Sequence, residues 1–389
     1  MKAVILGGAG AQGIFATRDL VSGNVFDEIV IADINIDNAQ KAAREIGSPK
    51  IGTRQVDVFD KKGLLEAISD ADLVMNCTGP YSLLGPKVID AVLEAGKNYI
   101  DFCDDIAAHE VIFTDEHDEE AKKKNLTILI GMGCSPGIAP LMVMHAATYM
   151  DQVEDISFPQ LINSGEPEGP AVIYHLIDNF FGKVPAIKDG VRVEEEAFEG
   201  EEVVDFGEPL GKAKVSTFGH PEIFTLPRSL KGIKNLAVKL GTYPPEDYEL
   251  FKLLAQIGLA STEPLLVKGQ KVVPRDFLIA LLMSQPHVEF EGEILSSMVV
   301  SVKGKKEGQP ITYELIITAT MGPATGLPCS IGAEMIAQGK IDKKGILTPE
   351  ECIDPKPFLD EWVRRARAIS KVEIIEKITT TTGTTTANW

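Results

Sequence analysis

The chain has 389 residues, of which 44% are hydrophobic and 24% are charged, and it carries a formal net charge of −19. This length exceeds a single ordinary core and predicts two domains of roughly 150 to 200 residues each. A surface of this charge argues against a nucleic-acid partner, because it repels a phosphate backbone.

The cysteines and the apolar stretches indicate the cellular setting. Five cysteines occur, at positions 77, 103, 134, 329 and 352, and no two form a C-x-x-C pair. This pattern argues against a disulfide framework and a structural zinc site, so we expect no metal. The stretch 126–150 lacks Asp, Glu, Lys and Arg, but glycines and prolines interrupt it. We therefore expect a cytoplasmic protein with no membrane span and no signal peptide.

Short apolar runs alternate with helical patterns from residue 1 to about residue 130. Strands are predicted at 3–6, 28–32, 52–58, 73–76, 99–102 and 127–130. Helices are predicted between them at 11–21, 38–46, 61–69, 87–95 and 109–124. This alternation is typical of βαβ units, and it predicts an α/β Rossmann domain over 1–130 with a doubly wound parallel sheet.

The pattern changes after about residue 150, where apolar residues alternate at 294–302 and 312–320. Alternation predicts a second, α+β domain over 131–324 that is built on a largely antiparallel sheet. Further helices are predicted at 248–259, 274–283, 329–338 and 356–368. We expect residues 325–370 to pack back on the first domain, and the Thr-rich residues 378–389 to form a flexible tail.

A glycine-rich motif, G-x-G-x-x-G, follows the first predicted strand and opens the first predicted helix. In this context Gly8 allows a tight turn, Gly10 lets the backbone approach a diphosphate, and Gly13 lets the helix pack on the strand. The amides at the start of the helix then bind the phosphates. The predicted cofactor-binding residues here are Gly8, Gly10, Ala11, Gln12 and Gly13.

Two acidic residues end the next strands and bear on the choice of cofactor. Asp33 lies 20 residues after Gly13, where a carboxylate accepts hydrogen bonds from a ribose 2′-hydroxyl. It would repel a 2′-phosphate, and Ile34 and Asn35 offer no positive charge, so we expect NAD rather than NADP. Asp57 either contacts the cofactor or caps the end of its strand.

Polar and small residues follow three further strands of the parallel sheet. Cys77, Thr78, Gly79 and Pro80 follow the fourth strand and are predicted to contact the cofactor. Residues 101–105 follow the fifth strand, and residues 131–137 follow the sixth. Because the carboxyl ends of parallel strands meet at one edge, the three segments predict a shared ligand crevice.

Several motifs together resemble the saccharopine dehydrogenase family, including its lysine 6-dehydrogenase branch. They are the Rossmann start, 77–81 (C-T-G-P-Y), 99–101 (Y-I-D), 131–137 (G-M-G-C-S-P-G), 219–222 (G-H-P-E), 225–228 (T-L-P-R), 325–328 (T-G-L-P) and 345–350 (G-I-L-T-P-E). The resemblance extends from about residue 2 to residue 362. It implies a nicotinamide cofactor and chemistry on a C–N bond of an amino acid.

Such chemistry needs a group that moves a proton to or from nitrogen, and histidine suits this near neutral pH. His220 lies in a family-like motif and is the first candidate, and His175 is the second. His109, His117 and His287 are interpreted as structural or surface residues, and His145 as buried in a helix.

The substrate itself needs polar partners. Arg228 offers a fork for a carboxylate, with a surface ion pair as the alternative, and Thr225 adds a hydroxyl. Asp101 is predicted to bind a substrate ammonium, and Cys134 to pack against the nicotinamide ring. The full set predicted to bind substrate is Tyr81, Asp101, Cys134, Tyr174, Thr225 and Arg228.

These features predict an NAD-dependent amino-acid dehydrogenase of saccharopine or lysine 6-dehydrogenase type. One alternative is an imine reductase of polyamine synthesis, similar to carboxynorspermidine dehydrogenase. Another is an NAD-binding regulatory protein without catalysis, because a fold alone does not establish chemistry. We expect a small amino-acid substrate, no nucleic-acid or membrane partner, and a homodimer.

Overall fold

The structure is a computed structural model that describes residues 1–166, 169–284 and 294–389, so His287 lies outside the described residues. Two compact units are present, and each is built from three segments of the chain. Unit 1 comprises Met1–His145, Phe224–Ser229 and Met321–Lys371. Unit 2 comprises Ala146–Ile223, Leu230–Thr320 and Val372–Trp389.

The secondary-structure elements follow in chain order. The first are β1 (Lys2–Leu6), α1 (Gly13–Ser22), β2 (Glu28–Asp33), α2 (Ile36–Ile46), β3 (Ile51–Gln55), α3 (Lys61–Ile68), β4 (Leu73–Asn76), α4 (Tyr81–Ala95), β5 (Asn98–Asp101), α5 (Ile106–Ile112), α6 (Asp115–Lys123), β6 (Thr127–Leu129) and α7 (Ile138–Ala147). Next are β7 (Gln152–Asn163), α8 (Pro170–Asn179), β8 (Lys183–Lys188), β9 (Val191–Glu196), β10 (Glu202–Asp205), β11 (Lys212–Thr217), α9 (Glu222–Ser229), β12 (Asn235–Tyr243), α10 (Pro245–Gln256), β13 (Leu265–Val267), β14 (Gln270–Val272) and α11 (Pro274–Ser284). The last are β15 (Ser296–Lys306), β16 (Gln309–Ala319), α12 (Met321–Ala337), β17 (Gly345–Leu347), α13 (Pro349–Cys352), α14 (Pro355–Arg367), β18 (Val372–Thr380) and β19 (Gly383–Asn388). None of the described helices combines the length and the apolar character that crossing a bilayer requires.

Unit 1 contains a seven-stranded sheet in the order β17-β6-β5-β4-β1-β2-β3, in which every neighbouring pair is parallel. Its strands are short apolar runs, and Ala3 to Leu6 of β1 are buried on both faces of the sheet. The strand order reverses beside β1, which places a ligand crevice at the carboxyl ends of β1 and β4. The predicted doubly wound parallel sheet is confirmed.

Unit 2 contains a ten-stranded sheet whose main path is β10-β11-β12-β7-β15-β16-β18-β19, with β8 and β9 joined to β12. β12 and β7 pair in parallel, and the other neighbours pair in antiparallel fashion. The alternating pattern of β15 and β16 buries one set of side chains, including Val300, Val302 and Leu315. The predicted second domain on a largely antiparallel sheet is therefore confirmed.

The tail differs from the sequence-based prediction. Residues 378–389 are expected to be flexible, but all except the turn and the last residue lie in β18 and β19. β18 pairs with β16 from Val372 to Thr380, and β19 pairs with β18. The repeated threonines explain the difference, because their branched β-carbons favour extended backbone even in a sequence of low complexity.

Two predicted helices also differ from the structure. The single helix predicted at 109–124 is two helices, because Thr114 interrupts it and its hydroxyl accepts a hydrogen bond from the His117 amide as the cap of α6. α12 begins at Met321 rather than at Cys329. Its first half contains glycines and prolines, which sequence rules treat as helix breakers.

The glycines of α12 instead allow close contact with α1. A Cβ atom on Gly326 would lie 2.8 Å from the Ala16 amide nitrogen and 2.9 Å from the Gln12 carbonyl oxygen. A Cβ atom on Gly322 would lie 2.3 Å from the ring of Phe15. These residues are four apart and lie on one face of α12. Their missing side chains thus let α12 lie directly against the helix that follows the glycine-rich loop.

One buried carboxylate connects the carboxyl ends of three strands in unit 1. Oδ1 of Asp101, at the end of β5, accepts the amides of Cys103 at 3.0 Å and Gly131 at 2.7 Å. Oδ2 accepts the Tyr99 hydroxyl at 2.7 Å, and that hydroxyl accepts the Asn76 amide group at 3.1 Å. The network therefore joins β4, β5 and the loop after β6, although burial raises the pKa of Asp101 to about 6.

We expect the substitution Gly326→Ala to destabilise the protein by about 1 to 3 kcal/mol, because the added methyl group overlaps backbone atoms of α1. The effect opposes the gain of about 1 kcal/mol that alanine normally brings to a helix. Urea denaturation measures it. Gly52→Ala is the control, since the nearest atom to its Cβ would be a Val30 methyl at 3.7 Å. Equal midpoints for the two variants would contradict the close packing of α1 and α12.

The raised pKa of Asp101 predicts a pH-dependent stability. Between its unfolded pKa of about 3.9 and its folded pKa, the carboxyl is neutral in the folded protein and ionised in the unfolded chain. Its stabilising contribution is present below about pH 4 and is lost as the pH rises through about 6. From pH 4 to pH 6.5, the free energy of unfolding should fall by roughly 2 to 3 kcal/mol more in the wild type than in Asp101→Asn. Parallel curves for the two proteins would refute this assignment.

Candidate functional site

The glycine-rich loop joins β1 to α1 through a tight turn. Gly7 has a positive φ of 70°, and its amide donates to the Ala32 carbonyl at 2.7 Å. The Gly10 amide then donates to the Gly7 carbonyl at 2.9 Å. The left-handed residue of the turn is therefore Gly7, whereas the sequence assigned the turn to Gly8. Gly8 serves packing instead, because its Cβ would lie 2.8 Å from an Ile5 methyl.

The remaining residues of the loop fit a diphosphate. Gly10 and Ala11 are exposed, and α1 has no acidic residue in its first turn. A Cβ on Gly13 would lie 2.6 Å from the Gly7 carbonyl oxygen and 2.9 Å from the Cys77 Cβ, so only glycine brings the helix this close to β4. Oε1 of Gln12 is buried without a hydrogen bond from the described residues. An open loop at the positive end of a helix suits the diphosphate of a dinucleotide.

Asp33 lies at the end of β2 beside this loop. One of its carboxylate oxygens accepts the Asn35 amide at 2.9 Å, and the side chain is half-buried. Arg54, paired with Ala32 in the register of β3, is the nearest cation along the strand pair. Its guanidinium is directed elsewhere, toward the Ala67 carbonyl and Asp70. Among the described residues of this strand pair, the Asp33 carboxylate therefore lies at the end of β2, while the Arg54 guanidinium is engaged elsewhere.

Asp57 follows β3 and is exposed. Its Oδ1 accepts the Phe59 amide at 2.9 Å, which is the geometry of a local Asx turn. This contact favours the strand-end alternative over a contact with the cofactor.

Residues 77–80 lie at the carboxyl end of β4, next to the glycine-rich loop. The Cys77 amide donates to the Leu6 carbonyl at 2.8 Å, and Asn76 Oδ1 accepts both the amide and the hydroxyl of Thr78. All four residues from 77 to 80 are partly exposed, and the Gly79–Pro80 bond is cis. Burial of the sulfur raises the pKa of Cys77 well above its usual range, so the side chain is a neutral thiol suited to packing.

Tyr81 and Asp101 also lie at this edge, but their polar atoms are used within the protein. Tyr81 is 5% exposed, and its hydroxyl donates to the Asn76 carbonyl at 2.9 Å. Asp101 is fully buried, and both of its oxygens take part in the network of strand ends. This geometry favours roles in shaping the crevice over the predicted direct contact with a substrate.

Cys134 lies in a tight loop after β6 and belongs to unit 1, not to the second domain expected from the sequence. The Gly133 amide donates to the Pro136 carbonyl at 2.9 Å, and the Ala139 amide donates to the Cys134 carbonyl at 2.9 Å. Gly137 has a positive φ of 121°, and a Cβ atom on it would lie only 2.2 Å from the Gly133 carbonyl oxygen. The loop thus holds the partly exposed Cys134 at the same edge as Cys77.

Arg228 and Thr225 lie on α9 and also belong to unit 1. Arg228 donates through Nε and Nη2 to the two carboxylate oxygens of Glu351, at 3.1 and 3.4 Å, and its guanidinium lies over the Phe113 ring. Its fork is therefore occupied by Glu351, which favours the ion-pair alternative over a substrate carboxylate. Thr225 is buried beside Glu350, whose pKa is raised to about 7 by burial.

Unit 2 brings together the two candidate histidines. The rings of His175, on α8, and His220, just before α9, are perpendicular, with centroids 5.4 Å apart. Phe218 contacts both, with ring centroids 5.6 Å from His175 and 5.9 Å from His220. His175 is 9% exposed and His220 is 3% exposed, so both interact in a medium of low dielectric constant. Tyr174 packs against an apolar cluster that contains Ile177 and Leu278.

Glu222 is a candidate site residue that the sequence-based prediction did not include. Its carboxylate is fully buried and accepts a hydrogen bond from Nδ1 of His220. The signal was present as the H-x-E spacing within the motif at 219–222. A carboxylate behind an imidazole fixes its orientation and stabilises the positive charge that it gains with a proton. No group of three or more His, Cys, Asp or Glu residues suited to a metal ion occurs in the described ranges.

The sequence matches two family models that together span both units. The model of the saccharopine dehydrogenase NADP binding domain matches residues 3–129, and that of the saccharopine dehydrogenase C-terminal domain matches residues 176–367. The first match covers the glycine-rich loop and Asp33. The second covers His220, Glu222 and Arg228.

The chain is also similar in sequence to individual proteins with dehydrogenase or oxidoreductase names. Carboxyaminopropylagmatine dehydrogenase of Synechocystis sp. is 26% identical over 384 residues, which cover 92% of this chain and 94% of that protein. Saccharopine dehydrogenase-like oxidoreductase of Mus musculus is 28% identical over 181 residues, which cover 43% of this chain and 42% of that protein.

Among solved structures, apo saccharopine dehydrogenase (L-Glu forming) from Saccharomyces cerevisiae has a TM-score of 0.68 at 16% identity. The alignment covers 96% of this chain and 99% of that one, so the likeness extends over the whole fold. The family predicted from the motifs is confirmed. The chain belongs to the saccharopine dehydrogenase family of NAD(P)-binding oxidoreductases.

Proposed function

We propose that this protein is an NAD-dependent imine reductase whose substrate is the imine of an amino-acid semialdehyde and a polyamine-type amine. The reverse reaction oxidises the resulting secondary amine. The observation that carries the proposal is the buried His220–Glu222 pair beside His175, in a chain that is similar over 92% of its length to carboxyaminopropylagmatine dehydrogenase. This is the alternative raised by the sequence. It has better support than a lysine or saccharopine dehydrogenase.

The charge of the protein agrees with a cationic substrate. The formal net charge is −19, and a field of this sign concentrates polycations and speeds their association. An amino-acid head carries one carboxylate and one ammonium, whereas a polyamine-type tail carries only positive groups at neutral pH. The acidic surface therefore favours the polyamine adduct over a substrate with several carboxylates, such as saccharopine.

The residues that would hold the cofactor are those of the glycine-rich loop, Asp33 and the loop 77–80. The α1 amides would bind the diphosphate, and Asp33 would accept the ribose hydroxyl. A nicotinamide dinucleotide supplies the hydride for reduction and accepts it in the reverse direction.

The protein's own residues supply the proton transfer. After hydride addition to the carbon of the iminium, C=NH⁺, the nitrogen is a neutral secondary amine. Protonated His220 then donates its proton to this nitrogen, and Glu222 stabilises the imidazolium beforehand. In the reverse direction neutral His220 takes the proton from the ammonium, which restores the lone pair that drives hydride departure.

Two other interpretations of the protein's function predict different turnover. A lysine or saccharopine dehydrogenase uses the same hydride chemistry with a different amine. A regulatory NAD-binding protein turns over none of these substrates. The homodimer and the cytoplasmic location expected from the sequence stay predictions.

We expect NADH oxidation when aspartate semialdehyde is supplied with agmatine or with a short diamine, and much slower turnover of lysine or saccharopine with NAD. His220→Gln should lower kcat by about 100- to 10,000-fold, because it removes the proton-transfer group, while NADH affinity stays unchanged. Absorbance at the NADH band and fluorescence titration measure the two quantities.

The matched control is His117→Gln. The His117 side chain is 19% exposed, its Nδ1 contacts the Ile112 carbonyl, and it belongs to unit 1, whereas the paired histidines belong to unit 2. The control should keep wild-type turnover. Preferential turnover of lysine or saccharopine would replace the proposed substrate, and no turnover of any substrate would leave a binding protein.

We also expect NADH to bind more tightly than NADPH, because Asp33 repels a 2′-phosphate. Asp33→Ala should reduce this preference by about tenfold, corresponding to about 1.4 kcal/mol. Calorimetry with both cofactors measures the ratio. Asp57→Ala removes an exposed acid from the neighbouring strand end and should leave the ratio unchanged. A wild-type preference for NADPH would overturn the role assigned to Asp33.

A further inference from the structure

We propose that residues 245–284 of unit 2 form the surface on which a second copy of this chain docks in a two-fold symmetric dimer. This segment, the α10–α11 module, consists of α10, the ribbon of β13 and β14, and α11. It holds nine of the eighteen large hydrophobic residues that are exposed in the described ranges, although it makes up only 40 of the 389 residues. Exposed apolar residues that are concentrated in this way mark an interaction surface, whereas scattered ones do not.

The helix α10 is apolar on two sides. On one side Tyr248 is buried, and Leu254 packs against an apolar cluster of unit 2. On the other side Leu250, Leu253 and Ile257 are all more than half exposed. Their spacing of three and four residues places them in a single stripe. A helix at a protein surface normally carries polar residues on its outer side, so this stripe indicates a second covering partner.

The helix α11 has the same character. Leu278 and Ile279 are buried in the cluster that Leu254 also joins, so the inner sides of α10 and α11 share one core. Phe277 and Leu281 lie four residues apart on α11 and are exposed. Both helices therefore use one apolar side inside unit 2 and leave another apolar side uncovered.

The ribbon between the helices is exposed on both of its faces. Leu265, Leu266 and Val267 of β13 are consecutive, and each is at least half exposed, with Leu266 at 76%. Side chains alternate between the faces of a strand, so neither face of β13 is covered. In the described ranges β13 and β14 pair only with each other. An isolated two-stranded hairpin is marginally stable in water, and packing against a partner would stabilise this one.

The module is large enough to hold a dimer together. The Arg275 amide donates to the Ser261 carbonyl at 3.1 Å, which ties the start of α11 to the segment after α10 and closes the base of the ribbon. At roughly 80 to 100 Å² of exposed surface per side chain, the nine residues present about 700 to 900 Å². A stable interface of standard size buries about 800 Å² on each partner.

The distribution of charge favours a second copy of the chain as the occupant. Residues 245–284 contain five acidic and four basic residues, a net charge of −1, whereas the whole chain carries −19. Two copies therefore meet here with little of the repulsion that the remaining −18 produces elsewhere. An anionic membrane is a poor alternative, because the module lacks the surplus of lysine and arginine that such binding uses. An apolar patch that meets itself across a two-fold axis is self-complementary.

Sedimentation velocity of the full-length protein in the micromolar range tests the proposal. The wild type should sediment as a dimer. Leu253→Glu and Leu266→Glu should each raise the dissociation constant of the dimer at least tenfold, because two-fold symmetry buries the new carboxylate of both copies in an apolar contact. Both positions are exposed, so the substitutions leave the core of unit 2 intact. A monomeric wild type would overturn the proposal.

The matched control is Ile369→Glu. Ile369 is 59% exposed and belongs to unit 1, so the substitution makes the same change of side chain and net charge outside the module. The control should keep the wild-type dissociation constant. Equal weakening in all three variants would reveal an effect of net charge alone and would refute the docking surface. A dimer that resists both module substitutions would also refute it.

Hydrogen exchange of the wild type gives a second readout that no variant can disturb. The amides of β13 and β14 should exchange more slowly at high protein concentration than in dilute solution, because the dimer covers the ribbon. The exposed strand β10 should exchange equally at both concentrations. An unchanged ribbon would contradict the proposal even if the variants sediment as monomers. Neither experiment uses cofactor or substrate, so its outcome is independent of the proposed function.

Discussion

The carboxylate of Asp101 is the interaction on which the ligand edge of unit 1 depends. It is fully buried, and its hydrogen bonds join the ends of β4, β5 and the loop after β6. The loops that carry Thr78 and Cys134 begin at these points. Burying an acid costs free energy, which its raised pKa reflects, but removing an acceptor would leave buried donors unsatisfied. The Asp101 network therefore keeps the loops of the crevice in place, but burying its carboxylate lowers the stability of the protein.

In unit 2 the buried polar groups include the two candidate histidines and their partners. Phe218 contacts both histidine rings, and Asn179 and Glu222 each contact one of them. Hydrogen bonds in a medium of low dielectric constant are electrostatically stronger than the same bonds in water.

Sequence patterns predicted the parts of the molecule that depend on local chemistry. The apolar runs of β1, β2 and β4 and the glycine-rich motif defined the parallel sheet and the dinucleotide loop, and alternation defined the antiparallel sheet. The patterns failed where distant contacts override local preference. Gly322 and Gly326 lie within a helix because α1 packs against them, and Arg228 pairs with Glu351, which is 123 positions away. The role of Glu222 required knowing that its carboxylate is buried against an imidazole.

The contact between α1 and α12 has a consequence for how the chain matures. The helix that carries the glycine-rich loop is covered by a segment that begins at Met321, and β17, another late segment, completes the sheet edge beside β6. During synthesis the packing of α1 and the parallel sheet of unit 1 therefore stay incomplete until the segment 321–347 has been made. A fragment that ends after residue 145 lacks the surface on which α1 rests. The helix that follows the glycine-rich loop thus depends for its packing on a segment that is synthesised much later than the loop itself.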